Sequence, residues 1–189
     1  MLSRIAPVLV AVLLSTVGQL AAQNTRLLRQ PDLNDQHIVF TYGSDIWVAD
    51  RDGSDVRRIT STPAVETNPV FSPDGSMIAF SSNRMGSSAV YVVPVTGGNP
   101  TRLTWHPSSA LVRDWTPDGE HILYASSRGT APVPYNKLWT VSVEGGPSQK
   151  VSEQWGYDAS YSPDGSKLAL DKMSRWDGEW RAYRGGQNT

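Results

Sequence analysis

The chain has 189 residues, with 17 Lys and Arg against 18 Asp and Glu, and it contains no cysteine. This balance gives no electrostatic support for a nucleic-acid partner, and the absence of cysteine excludes disulfides, thiolate metal sites and a cysteine nucleophile. The length suits a single domain with its own core, so the function has to be sought in the motifs along the chain.

The first 22 residues have the layout of a secretory signal peptide. Arg4 supplies the positive charge, an apolar stretch runs from Ile5 to Val17, and the small residues Ala21 and Ala22 follow. That stretch is shorter than the roughly 20 residues that span a bilayer, although a retained anchor and a buried helix are the alternatives. The mature protein is predicted to begin near Gln23 and to be exported, periplasmic or extracellular, with no membrane contact beyond the signal peptide.

A unit of about 45 residues recurs along the rest of the chain. Its clearest mark is a Ser/Thr-Pro-Asp-Gly turn in FSPDGSMIAF, WTPDGEHILY and YSPDGSKLAL, with the turn residues Asp74, Gly75, Asp118, Gly119, Asp164 and Gly165. Pro presets one backbone dihedral, and Asp-Gly supplies the positive dihedral of a tight hairpin. Matching Trp or Tyr positions, a second Gly turn and a short closing segment follow in DIWVAD, AVYVVPV and KLWTVSV and the residues after them. Each unit therefore predicts four short strands.

The strands after the turns are apolar at consecutive positions, as in MIAF and HILY. A strand has this pattern when both faces of its sheet are covered, which favours an all-β propeller of four-stranded antiparallel blades. The partial propeller is predicted within residues 23–189, with blades at about 27–60, 66–104 and 111–152 and a half-blade within 159–189. Because the first blade and the half-blade each have one neighbour, both are expected to expose an apolar face, and the strand near Leu168 to Leu170 an open edge.

The carboxylates of the repeat are interpreted as structural. Asp74, Asp118 and Asp164 fall in separate blades, where each is expected to bond its own turn rather than join a cluster. The segment DRDGSD, residues 50–55, has acids around a glycine as calcium loops do, but its Gly is fourth rather than sixth, which favours a hairpin turn.

The three histidines do not indicate catalysis. His37 and His121 open corresponding strands, where the other blades have Met77 and Lys167, so this position is interpreted as an exposed strand start. His106, in TWHP, is the best candidate for a general base but falls in an inter-blade loop. A nucleophilic serine needs an oriented histidine beside it, and the Gly-x-Ser-x-Gly elbow does not occur. No catalytic residue, metal site or cofactor is therefore predicted.

A loop after the half-blade strands has no equivalent in the other blades. Aromatic and Arg side chains are the usual anchors of protein contacts. This loop is therefore predicted to contact a peptide or the remainder of the protein, through Arg175, Trp176, Trp180, Arg181, Tyr183 and Arg184.

The repeat resembles the WD40-like propeller repeat of tricorn proteases and of TolB, on the landmarks PVFSPDGSMIAFSSNR and VYVVPVTGGNPTRLTWHP. Three further segments are similar to tricorn-type serine peptidases: LLRQPDLNDQHIVFTYGSDIWVAD, RLTWHPSSALVRDWTPDGEHILYASSR and RWDGEWRAYRGG. The resemblance covers residues 27–186. It implies an N-terminal propeller of six blades, so about three and a half of six are expected here, followed by a second propeller and a catalytic region whose residues have no counterpart in this chain.

The resemblance implies a non-catalytic propeller fragment of an exported tricorn-type serine peptidase, which cleaves peptides. Its expected role is to channel or dock substrates, and its expected partners are peptides and the C-terminal remainder of the same protein. The alternatives are a TolB-like periplasmic interaction scaffold and the propeller of another peptidase, such as a prolyl-oligopeptidase-like enzyme.

Overall fold

The computed structural model describes residues 28–132 and 135–172. The predicted signal peptide and the predicted contact loop, residues 175–184, lie outside the described residues. No helix in these two ranges is long and apolar enough to cross a membrane. The described residues form the following strands: β1 (Arg29–Leu33), β2 (His37–Tyr42), β3 (Asp45–Asp50), β4 (Arg57–Arg58), β5 (Glu66–Phe71), β6 (Met77–Ser82), β7 (Ala89–Pro94), β8 (Thr101–Arg102), β9 (Leu111–Trp115), β10 (His121–Ser126), β11 (Lys137–Ser142), β12 (Gln149–Trp155), β13 (Asp158–Tyr161) and β14 (Leu168–Asp171).

The strands form three four-stranded antiparallel sheets and one two-stranded sheet, each in sequence order. This arrangement confirms the predicted all-β class and the four-stranded blades. The fourth strand of the third blade, β12, runs to Trp155, past the predicted end at Ser152. The extension follows from the pairing of Trp155 with Lys137 across a bulge and from the stacking of Trp155 on Tyr135, whose ring centroids lie 4.1 Å apart.

The first strand of each sheet lies beside the first strand of the next, since β1 contacts β5, β5 contacts β9, and β9 contacts β13. These strands are therefore the innermost strands of the blades and surround a common axis. Three apolar clusters fill the spaces between successive sheets. In β6, Ile78 and Phe80 face the first blade while Ala79 faces the third. The consecutive apolar positions of MIAF are thus explained by burial on both faces.

The first blade packs on one neighbour within the described residues. Its alternating side chains Val39, Ile46 and Val48 are fully buried against the second blade. Phe40 and Trp47, which point to the other side of the sheet, are only half-buried. Among the described residues, this side of the first blade is therefore only partly covered.

The described hairpin of the half-blade, β13 and β14, does not have the exposed apolar face that was expected. Leu168 and Leu170 pack against the third blade instead. Strand alternation turns Ala169 and Asp171 outward, where both are exposed. The outward side of this hairpin is therefore small and polar. Within residues 28–132 and 135–172, β14 pairs with β13 and with no other strand.

The hairpin turns pack on one another from blade to blade. A Cβ added to Gly165 would lie 3.5 Å from Cγ of Pro117, and one added to Gly119 would lie 3.8 Å from Cδ of Pro73. Between the first and second blades, the residue in contact with the glycine turn is Asn34. Its Oδ1 accepts hydrogen bonds from the amides of residues 36 and 37 at 2.9 and 2.8 Å. A Cβ on Gly75 would lie only 2.9 Å from Nδ2 of Asn34. The glycine of each turn thus sits against the turn of the blade before it.

Replacing Gly75 by Ala is expected to cost more stability than the same change at Gly53. Both glycines have positive φ, +72° and +86°, but nothing lies within 4 Å of a Cβ at Gly53. Gly53→Ala should therefore cost only the backbone strain of about 1–2 kcal/mol. Gly75→Ala should add roughly 1 kcal/mol, because the Asn34 side chain must give up a turn hydrogen bond to move. Urea unfolding of both variants measures the difference, and equal costs would show that the turns do not pack tightly.

Candidate functional site

Each Pro-Asp-Gly turn holds its carboxylate in a set of local hydrogen bonds. Asp74 accepts from the Ser72 hydroxyl at 2.5 Å, the Ser76 amide at 3.0 Å and the Ser76 hydroxyl at 2.8 Å. Asp164 has the same three contacts in its own blade. These bonds stabilise the ionised form and lower the pKa of both carboxyls to about 2. The turn face therefore carries fixed negative charge at neutral pH.

The remaining Pro-Asp-Gly turn, in the third blade, also carries a negative charge, on Asp118. The Thr116 hydroxyl and the Glu120 amide donate to its carboxylate, and these bonds lower its pKa. Glu120 and His121 lie beside it, with potential ligand atoms of all three residues within 4.8 Å of one another. Asp118 and Glu120 are exposed, and His121 is half-buried. Because Asp118 is already held by its own turn, we assign the group to the hairpin.

Two other carboxylates connect neighbouring blades at the innermost strands. Asp32 accepts the amide of Phe71 at 2.8 Å, and Asp114 accepts the amide of Tyr161 at 2.8 Å and the Ser160 hydroxyl at 2.7 Å. Burial raises the pKa of Asp32, and the charge of Asp114 acts in the same direction. These aspartates thus cross from the first blade to the second and from the third to the fourth. The sequence analysis did not identify either aspartate, although both occupy the same position of the repeat, one residue before the last residue of the first strand of the blade.

The second and third blades are joined at the same repeat position by a hydrogen bond that involves no carboxylate. In the second blade the matching position is Val70, whose carbonyl accepts the indole N–H of Trp115 at 3.1 Å. Trp115 is 4% exposed and belongs to the cluster between these two blades. An indole therefore replaces the carboxylate as the inter-blade contact.

A buried ion pair opens the second blade. Glu66 is fully buried, and its carboxylate accepts from the Arg84 guanidinium, the Thr60 hydroxyl and, at 3.3 Å, the Thr62 hydroxyl. The Arg84 guanidinium carbon lies 4.6 Å from the centroid of the Tyr91 ring. Sequence reasoning missed this pair, because a lone Glu and Arg 18 residues apart give no periodic signal.

The histidines lie apart from one another. His106 accepts the Ser108 amide on Nδ1 at 3.0 Å, a local loop contact, and His37 lies 3.6 Å from Asp50. Within residues 28–132 and 135–172, no serine hydroxyl is hydrogen-bonded to a histidine. The contacts of His106 and His37 are thus local to their own loop and hairpin.

A cleft of about 660 Å³ separates the second and third blades on the face of the hairpin turns. Its floor continues the apolar cluster between these blades. The apolar lining consists of Pro73, Met77, Val92, Trp115, Pro117 and Val143. The rim carries the carboxylates of Asp74, Asp118 and Glu144.

Comparison with known proteins places this fold. Residues 25–189 match the family described as the tricorn protease N-terminal beta propeller domain. The chain belongs to this family. Tricorn protease homolog 1 of Streptomyces coelicolor is 33% identical to this tricorn-family propeller over 160 residues, which are 84% of the chain and 15% of that protein. The predicted resemblance is thereby confirmed.

Solved structures share the fold at lower identity. The crystal structure of the tricorn protease matches this tricorn-family propeller with a TM-score of 0.62 and 23% identity, covering 72% of this chain and 14% of that one. A TolB-type protein of Agrobacterium tumefaciens matches with a TM-score of 0.64 and 20% identity, covering 78% and 62%. The chain thus spans a small part of its tricorn relatives. The contact loop lies within the matched range but outside the described residues, and its role stays a prediction.

Proposed function

We propose that this chain is the non-catalytic propeller part of an exported tricorn-type serine peptidase, in which it guides or docks peptide substrates. The observation that carries the proposal is the family match over residues 25–189, in a chain that spans 15% of a tricorn protease homologue. In such a protein the bulk of the sequence, and with it the catalytic serine, lies outside this propeller.

The described residues support a binding role. The innermost strands lie side by side around one axis, and their carboxylates Asp32 and Asp114 are used to join blades. The inter-blade cleft and the charged turn face offer surfaces for contact rather than for chemistry. Export is proposed from the sequence of residues 1–22, with its Arg4, apolar stretch and Ala21-Ala22.

Two measurements on the 189-residue chain expressed in a bacterium test this proposal. N-terminal sequencing of the periplasmic fraction should begin at or near Gln23, because the signal peptide is removed on export. Incubation of the purified protein with unstructured peptides should return every peptide intact by mass spectrometry. Cytoplasmic protein that begins at Met1 would contradict export, and cleavage that His106→Ala abolishes in a folded protein would contradict the non-catalytic role.

A further inference from the structure

We propose that the cleft between the second and third blades binds an extended peptide segment in which basic and apolar residues alternate. The proposal stands on this cleft and does not depend on the chain's place in a peptidase. At about 660 Å³, the cleft has the volume of a small-ligand pocket, roughly 300–1,000 Å³.

The floor of the cleft requires an apolar occupant. Met77 and Val143 are half-buried and pack against the core between the blades, while Val92 and Trp115 below them are buried. Pro73 and Pro117 form opposite walls, one from each turn. A side chain placed here would remove this apolar surface from water, which is favourable in proportion to the area covered.

The rim requires a cationic occupant. Three carboxylates surround the opening, and no Lys or Arg among the described residues lines it. Asp74 and Asp118 are kept ionised by their turns. In the described part of the chain, Glu144 is exposed and its carboxylate takes part in no ion pair, since only its backbone amide is engaged, with Ser142. Opposite charge at the rim would steer a basic segment and hold it in register.

The apolar floor and the acidic rim together determine the composition of the peptide that would fit the cleft. A purely basic segment would leave the apolar floor uncovered, and an acidic one would meet three like charges. An extended strand turns successive side chains to opposite sides, so alternating residues could place apolar groups in the floor while the basic groups stay near the rim. The inference is therefore a basic-and-apolar peptide rather than a metal ion or a small anion.

Fluorescence anisotropy with three labelled peptides of equal length tests the inference on the full chain. Arg alternates with Leu in the first, Arg with Ser in the second, and Glu with Leu in the third. Only the first should bind well, and Glu144→Lys should weaken it by about fivefold or more, the factor equivalent to about 1 kcal/mol of charge interaction. Asp52→Lys is the matched control, because it makes the same charge change at the corresponding exposed turn of the first blade, which does not line the cleft. Its effect should be less than about twofold, since distant exposed charges are screened by salt.

Each other result overturns the proposal. Comparable binding of the Glu/Leu or Arg/Ser peptide would show that only one of the two surfaces matters. Equal effects of the two Lys variants would show that net charge, not the cleft, attracts the peptide. Failure of the Arg/Leu peptide to bind, or a self-association that Glu144→Lys abolishes, would show that the cleft does not hold such a segment.

Discussion

Arg84→Met is expected to lower the free energy of unfolding by about 3–5 kcal/mol, the usual cost of removing one partner of a buried ion pair. The change leaves the fully buried Glu66 carboxylate without its counter-charge. The hydroxyls of Thr60 and Thr62 remain as hydrogen-bond donors but carry no charge. Urea unfolding monitored by fluorescence gives the free energy directly.

The internal repeat supplies a matched control for this change. Arg128 occupies the same position of the third blade and lies 4.8 Å from the Trp139 ring centroid, as Arg84 lies over Tyr91. The amides of Glu66 and Ala110 both bond to the preceding blade, to Ser44 and Ser88, so Ala110 stands where the second blade has its acid.

Arg128→Met should therefore cost only the contact with the Trp139 ring and the hydrogen bond from the Arg128 guanidinium to the Tyr124 hydroxyl, about 1–2 kcal/mol. The double variant Glu66→Gln with Arg84→Met should regain part of the loss, because neither partner is then left as an unpaired buried charge. Equal costs for Arg84→Met and Arg128→Met would refute the assignment of Glu66 as the decisive partner.

The second large effect is expected at Trp115. Trp115→Ala should cost about 3–5 kcal/mol, because it empties a buried site between the second and third blades. Trp115→Phe keeps most of the apolar contact and removes the hydrogen bond to the Val70 carbonyl. Its cost should be nearer 1–2 kcal/mol, about the value of one hydrogen bond with some loss of packing.

Trp105 is the control for this pair. Trp105 is 73% exposed, and its ring contacts the Arg102 guanidinium, whose carbon lies 4.5 Å from the ring centroid. Trp105→Ala should cost no more than about 1 kcal/mol, the value of an exposed cation–π contact. Denaturant unfolding of the three variants ranks them, and a Trp115→Ala protein as stable as Trp105→Ala would disprove the inter-blade role of Trp115.

The repeat, the hairpins and the class of fold were predictable from the amino-acid sequence. These features are local, because a Pro-Asp-Gly turn fixes its own backbone dihedrals and Asp74 bonds residues within two positions of itself. The consecutive apolar residues after each turn also carried information on tertiary structure, because they require a sheet covered on both faces. Trp139 is buried, whereas Trp47 at the same repeat position of the first blade is half-buried, because its face of that blade has no described neighbour.

The contacts between residues of different blades were not predictable from the sequence. Asp32 reaches the amide of Phe71, 39 residues away, and Asp114 reaches the amide of Tyr161, 47 residues away. Such contacts depend on how far each blade is rotated about the axis, which no local pattern in the sequence records. The cleft has the same origin, because its walls come from Pro73 and Pro117 in turns that approach only when two blades pack. The polar outer side of the half-blade was likewise settled by which strand face meets the third blade, since a shift of one residue exchanges the two faces.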